Sequence, residues 1–251
     1  MKFIESIKNP QVKQWKKLLT KKEREKTKQY IVEGFHLVEE ALKYKKNIVE
    51  IIISETTEIP SHWDMTNLSL TKVTTEICKA ISDTETTQGI FAICQMKHSS
   101  FQTYAGNSYL LIDSVQDPGN IGTIIRTADA AGIDAIILGE GTVDIYNPKV
   151  LRSAQGSHFH IHFFTGNLEV WIEKLEKEQI PIYGTALENG VPYKQVAPKQ
   201  SFALMVGNEG SGVSKKLLAL TNQNLYIPIY GQAESLNVAV AAGILMYYLK
   251  E

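Results

Sequence analysis

Residues 225–249 read LYIPIYGQAESLNVAVAAGILMYYL. Leu225 to Ile229 is a short apolar strand. A loop with Gly231 and Gln232 follows, and Ser235 stands where a helix N-cap belongs, its hydroxyl able to accept from first-turn N–H groups. From Leu236 onward the residues are apolar and small, Ala239, Ala241, Ala242 and Gly243 among them, and no charge appears before Lys250. A helix apolar on all sides has to be packed over most of its surface, within the protein or against a second copy. Its first-turn amides form a partly positive end, flanked by Glu234 and Asn237. Taken alone, the stretch is a capped core helix with polar residues collected at its entrance.

Strands and helices alternate upstream as well. Tyr109 to Ile112 reads as a strand, Ile121 to Gly132 as a helix and Ala135 to Leu138 as a strand. Asn147 to Gln155 can form a helix, since Pro148 as its second residue is acceptable there. Phe159 to Phe164 reads as a strand, Leu168 to Gln179 as an amphipathic helix, and Ile180 to Gly184 and Ser201 to Val206 as strands. Ser214 caps Lys215 to Leu220. This alternation implies an α/β fold with a mostly parallel sheet covered on both faces. The preceding part is a smaller α/β unit. It has a helix after Asn9-Pro10, a helix opening at Glu33-Gly34-Phe35 and running through Leu42, and a buried strand from Ile48 to Ile53. A short helix capped by Thr74 or Thr75 follows, then an apolar strand from Gly89 to Cys94. Between the halves, KHSSFQTYAGNS is polar, small and aperiodic, as linkers are. The expected division is therefore 1–97, a linker at 98–106, and 107–251.

The 251 residues are 43% hydrophobic and 21% charged with a net charge of −1, so any nucleic-acid contact must come from local clustering of base. Such a cluster opens the chain. Residues 1–28 hold ten Lys and Arg against three Glu, and Val12, Trp15, Leu18 and Leu19 at helical spacing put the basic residues outward. Lys13, Lys17 and Arg24 are the candidates for polyanion contact, although a merely solvated face is the alternative. Cys78 and Cys94 lack metal-ligand spacing and read as buried reduced thiols. MKFIESIKNPQVKQWKK has no apolar core of a signal peptide, and no apolar run reaches membrane-spanning length. A cytoplasmic protein is expected.

Three loops follow strands of the second half: Asp113 to Asn120, Gly207 to Gly212, and Gly231 to Asn237. In an open parallel sheet ligands bind beyond the carboxyl ends of the strands, so these loops can converge on one site. None has the G-x-G-x-x-G or G-K-[ST] spacing of a dinucleotide or P-loop site.

Together, DSVQDPGNIGTIIRTADAAG, LMVGNEGSGVS and IPIYGQAESLNVAVAAGIL resemble the three ordered motifs of the SpoU (TrmH-type) RNA 2′-O-ribose methyltransferases of the SPOUT class. SIKNPQVKQWKKLL, REKTKQYIVEGFHLVEEAL and TTQGIFAI resemble the L30e/L7Ae-like RNA-binding domain often attached to that family. The resemblance implies a C-terminal trefoil knot, although chains are generally unknotted, and a homodimer formed through the knotted region. It also implies that S-adenosylmethionine is bound, with Thr185, Ala186, Gly207, Ile227, Ser235 and Leu236 around it. Arg126, Asn120, Glu209, Ser235 and Asn237 match the family's catalytic and ordering positions, and Lys149 and Arg152 in YNPKVLRSA become candidates for RNA phosphates. A guanidinium holds its proton tenaciously, so gripping the neighbouring phosphate and stabilising the alkoxide are the easier roles for Arg126. Without the motifs, Arg126 would read as a surface residue paired with Asp129 at i+3.

The resemblance implies methyl transfer to RNA, with ribosomal RNA preferred over transfer RNA by analogy with the appended domain. Rival readings are a non-catalytic RNA-binding or assembly factor, and a flavodoxin-like or nicotinamide-binding oxidoreductase. His158, His160 and His162 alternate as if on one side of a strand, but no further metal ligand is evident, and the family needs no metal. Tyr183 reads as core.

Overall fold

The computed structural model describes residues 2–96 and 106–250. Of the expected linker, residues 98–105 lie outside the described residues. The chain divides into two compact units, Met1–Lys97 with Asp144–Phe159, and His98–Val143 with His160–Glu251.

The first unit runs β1 (Lys2–Ile4), α1 (Pro10–Lys17), α2 (Lys21–Thr27), β2 (Gln29–Glu33), α3 (Phe35–Lys43), β3 (Ile48–Ser54), β4 (Leu70–Val73), α4 (Thr75–Ile81) and β5 (Ile90–Gln95). The five strands lie in the order β1-β4-β3-β5-β2; β4 is parallel to β1 and β3, and β5 is antiparallel to β2 and β3. Period-2 alternation along β3 sends Ile52 to one core with Trp15, Ile77 and Phe91, and Ile51 and Ile53 to another with Leu37, Val38 and Ile90. The side chains of Asn9 and Thr74 accept from Gln11 N and Ile77 N, capping α1 and α4.

The remaining elements are β6 (Ser108–Asp113), α5 (Pro118–Ala130), β7 (Ala135–Leu138), α6 (Pro148–Ala154), β8 (His162–Thr165), α7 (Leu168–Lys177), β9 (Ile182–Thr185), β10 (Gly190–Pro192), β11 (Phe202–Gly207), α8 (Lys215–Leu218), β12 (Gln223–Tyr226) and α9 (Val238–Lys250). Their strands form one seven-stranded sheet, β10-β12-β9-β11-β6-β7-β8, with every pairing parallel. Its central strands β6, β7 and β11 are apolar and almost wholly buried, as coverage on both faces requires. α9 packs along α5 and β11. A Cβ on Gly243 would sit 3.2 Å from Thr127 Cγ2, so the small residues of α9 serve close helix approach.

α6 belongs to the first unit, although it falls within the expected 107–251 range. The Tyr146 ring lies 4.5 Å from that of Tyr30, Leu151 and Phe159 enter the core around Val38, and His36 Nε2 lies 3.0 Å from the Gln155 carbonyl oxygen. The second half of the chain thus lends a helix to the first unit.

Other expectations are corrected. The strand expected at Phe159 to Phe164 is β8 at His162–Thr165, because Gln155 and Gly156 take left-handed backbone and a 3-10 turn occupies Ser157–Phe159. The three histidines therefore do not share a strand face: His158 is buried in that turn, His160 Nδ1 lies 2.8 Å from Asp129 Oδ2, and His162 begins β8. The last strand stops at Tyr226, two residues before Pro228, which cannot donate to a ladder. Ser235 is not the cap of α9. Asn237 is, its Oδ1 accepting from Ala239 N at 2.9 Å and Val240 N at 3.4 Å. Among the described residues, no helix is long and apolar enough to cross a membrane.

Candidate active site

Parallel pairing of β11 with β6 sets Gly207 opposite Asp113, so the loops leaving these strands are neighbours. After Asp113 the backbone turns through Ser114 at φ 58° and enters α5, which has Asp117 as N-cap and Pro118 in its first turn. Asp117 Oδ1 accepts from Asn120 N at 2.9 Å, which fixes where the Asn120 side chain leaves the helix. The loop after β11 folds tightly back on itself. A Cβ on Gly207 would lie 2.1 Å from the backbone carbon of Gly212, and Asn208 and Gly212 exchange both backbone hydrogen bonds. Asn208 Nδ2 donates to Ser114 O at 2.9 Å, and Asp113 Oδ2 accepts from Ser214 N at 2.8 Å.

A directed chain of hydrogen bonds links all three loops. The Glu209 carboxylate accepts from Gln116 N at 3.2 Å, Asp117 N at 3.0 Å and Asn120 Nδ2 at 3.0 Å. Asn120 Oδ1 accepts from Asn237 Nδ2 at 2.9 Å, and Asn237 Oδ1 caps α9. A carboxylate can only accept and helix amides can only donate, so the two ends dictate the orientation of both asparagine amides. Burial pushes the Glu209 carboxyl up, but the donors from Asn120, Asp117 and Gln116 outweigh it and hold the carboxyl below its usual range.

Arg126 lies exposed on α5 beyond Asn120. Its i+3 neighbour Asp129 is engaged by His160 instead, and among the described residues no hydrogen bond or ion pair holds the Arg126 guanidinium. The Ser235 hydroxyl likewise has no partner among the described residues.

Beside this cluster an open cavity of about 170 Å³ is walled by Ala186, Leu187, Leu225, Ile227, Ile229, Leu236, Ala241 and Leu245, with Thr185, Tyr226, Glu234 and Ser235 at its polar positions. Of the residues expected around S-adenosylmethionine, the structure brings Thr185, Ala186, Ile227, Ser235 and Leu236 together here. Gly207 is not among the lining residues; its lack of a side chain serves the closure of its own loop. Apolar walls with a few polar groups suit a nucleoside. Cavity and cluster share one loop, since Glu234, Ser235 and Leu236 line the former and Asn237 joins the latter.

Asp117, Asn208 and Glu234 were not singled out as site residues from the sequence. The Asp-Pro pair at the start of α5 is an N-cap signal that could have found Asp117, the position of Glu234 beside the entrance of the last helix is a weaker signal, and no local pattern marks Asn208.

In the first unit Lys13, Lys17 and Lys149 are exposed, and Arg152 donates to Asp83 Oδ2 at 2.9 Å. Arg24 does not belong with them. It is 2% exposed, donating from Nε and Nη2 to Asp144 Oδ2 at 3.0 and 2.7 Å and from Nη1 to Leu18 O at 2.9 Å. A guanidinium so enclosed has no free edge for a phosphate.

The model of the SpoU rRNA Methylase family matches residues 107–247, and that of the MRM3-like substrate binding domain matches residues 9–92. The chain belongs to the SpoU family of rRNA methylases. It is 54% identical, over 100% of both chains, to the 23S rRNA (guanosine(2553)-2′-O)-methyltransferase RlmP of Bacillus subtilis. Among solved structures, the AdoMet-bound rRNA methyltransferase of Sinorhizobium meliloti is 31% identical with a TM-score of 0.89, covering 99% of this chain and 97% of that one. The SpoU methyltransferase AviRb of Streptomyces viridochromogenes in complex with AdoMet is 25% identical with a TM-score of 0.84, covering 96% and 97%. These matches overturn the oxidoreductase and non-catalytic alternatives.

Proposed function

We propose that this enzyme methylates a ribose 2′-hydroxyl of 23S ribosomal RNA with S-adenosylmethionine as donor, in the cytoplasm. The observation that carries this reading is the apolar cavity sharing one loop with the hydrogen-bonded series Asn237–Asn120–Glu209, while Arg126 on the same helix as Asn120 has a guanidinium unengaged among the described residues. The likeness to the Bacillus subtilis enzyme along the whole of both chains supports both the RNA class and the 2′-oxygen as acceptor.

When bound, the donor supplies a methyl already activated by its sulfonium, so the protein's work falls on the acceptor. Thr185, Ala186, Ile227, Ser235 and Leu236 would hold the nucleoside and amino-acid parts of the donor. A ribose hydroxyl is a poor nucleophile until its proton leaves, and its oxygen gains negative charge as it attacks. Arg126 meets that charge and the adjoining phosphate; Asn120 and Asn237, locked in orientation by Glu209 and by α9, keep the loops from shifting. The Ser235 hydroxyl, without a partner among the described residues, is available to the incoming ribose. In the first unit, Lys13, Lys17, Lys149 and Arg152 take phosphates of the substrate.

The threading of α9 through a trefoil knot, the L30e-like character of the first unit, and a homodimer belong to the same proposal. Val240, Ile244 and Tyr247 stand exposed at i, i+4 and i+7 on α9, an apolar stripe that a second copy would cover. The deciding experiment incubates the purified chain with labelled S-adenosylmethionine and 23S rRNA from cells lacking the protein, then maps ribose methylation. One new 2′-O-methyl, at the guanosine corresponding to that in the relative's name, is the expected result. Transfer to a 2′-deoxy substrate at that nucleotide would refute the acceptor. Sedimentation of Tyr247→Glu against the wild type tests the dimer, with a shift to monomer expected.

A further inference from the structure

Glu234 is the one side chain with a formal charge among those lining the cavity; the others are apolar or neutral. Among the described residues no hydrogen bond or ion pair engages its carboxylate. That contrasts with Glu209 of the loop cluster, whose oxygens take three donors. The position of Glu234 adds a constraint. It lies three residues before Asn237, which is bonded to Asn120, so it stands where the cavity wall passes into the acceptor cluster. A methyl donor in the cavity must present its reactive sulfur toward that cluster, since the acceptor oxygen is handled there.

From this juxtaposition we infer that Glu234 is the residue by which the enzyme distinguishes the charged methyl donor from the neutral product it leaves behind. The inference rests on the cavity being the S-adenosylmethionine site. In the reaction the carbon–sulfur bond breaks and a carbon–oxygen bond forms. The electron pair stays on sulfur and the hydroxyl proton leaves to solvent, so sulfur passes from positive to neutral. Donor and S-adenosylhomocysteine otherwise carry the same groups, an ammonium and a carboxylate included. Apolar walls hold both molecules alike. A single carboxylate at the sulfur end attracts only the one that still bears the sulfonium charge, and because Glu234 is exposed that attraction is open to screening by salt. Glu234 thereby lowers the affinity of the spent molecule relative to the fresh one and favours its release.

The test is calorimetric titration of the full-length wild type and Glu234→Gln with S-adenosylmethionine and with S-adenosylhomocysteine, at low and at high salt. Glu234→Gln keeps the shape of the side chain and removes its charge, and a thermal melt checks that the fold is retained. Donor affinity should fall roughly five- to tenfold in the variant while product affinity changes less than twofold. Salt should erode the wild type's preference for the donor and leave the variant's ratio unchanged. Steady-state kinetics should show the matching change, with the variant more strongly inhibited by product relative to its KM for donor. Equal weakening of both ligands would overturn the inference, because the carboxylate would then be reading the shared ammonium or shaping the loop. No change in either ligand would overturn it as well. A wild type that binds neither molecule would sink the assignment of the cavity itself, a different and recognisable result.

Discussion

Arg24 and Arg126 look alike on paper, each a cation on a helix with a carboxylate close by in sequence, and the molecule uses them in opposite ways. Arg24 lies in a basic run but is enclosed, its donors spent on Asp144 and on Leu18 O. Arg126 has Asp129 at the spacing of a helical ion pair, yet Asp129 is engaged by His160 and Arg126 stays exposed. What separates the structural arginine from the catalytic candidate is whether its donors are already satisfied. The first anchors the stretch from residue 144 to 159 in its unit; the second is open, and is the one proposed to meet the substrate.

The contrast is broken most directly at Arg126. Arg126→Ala is expected to cut single-turnover methyl transfer by roughly 10²–10³ or more while the Kd for S-adenosylmethionine stays within about twofold. A loss carried mainly by donor binding would make Arg126 a cavity residue instead. Next comes Arg24→Met, which strands a largely buried Asp144 and should cost about 3–5 kcal/mol of first-unit stability. Urea unfolding followed by Trp15 and Trp63 in a Trp171→Phe background reads that unit alone. The double change Arg24→Met with Asp144→Leu should recover much of the loss, whereas a cost below about 1 kcal/mol for the single change would put Arg24 back among the surface cations.

Glu209→Gln replaces one acceptor oxygen by a donor facing backbone amides, and should lower kcat by roughly ten- to a hundredfold. The pH dependence sharpens the same point. The folded-state pKa of Glu209 lies below its ordinary value of 4.5. Its contribution is therefore complete above that value and disappears only as pH falls through the lower folded one. Any limb in kcat between about pH 6 and 9 must belong to another group and should persist in Glu209→Gln. Smallest is the effect of Lys13→Ala or Lys17→Ala, a few-fold loss in RNA affinity with the slope of log K against log salt reduced by about one for each phosphate contact removed. An unchanged slope would make both lysines solvated ornament to α1.

Much of the fold was legible because its signals are local. Asn9-Pro10, Asn147-Pro148 and the Thr74-Thr75 pair mark helix starts where α1, α6 and α4 begin, the structure choosing Thr74 as the cap, and the apolar runs at Ile48, Tyr109 and Ala135 became β3, β6 and β7. Other features escaped. Periodicity placed a strand over Phe159, but left-handed backbone at Gln155 and Gly156 redirected that chain into the first unit's core. Spacing favoured Ser235 as the cap of α9, yet Asn237 holds the helix amides and Ser235 turns to the cavity wall. The polar residues of the three loops could be named in advance; their partners could not, because Glu209 and Asn120 lie 89 residues apart.

The amino-acid sequence by itself determined the strand–helix alternation and, through it, the parallel character of the larger sheet, because these depend on periodicity and capping within a few residues; the family motifs were legible as a resemblance carried by three short ordered runs. The tertiary structure alone decided which charges are spent and which remain open: that Arg24 is closed by Asp144, that Asp129 goes to His160, and that Glu234 lines an apolar cavity with no partner among the described residues. Whether a charge is satisfied depends on which distant donor or acceptor comes within about 3 Å of it, and only the folded chain sets that distance.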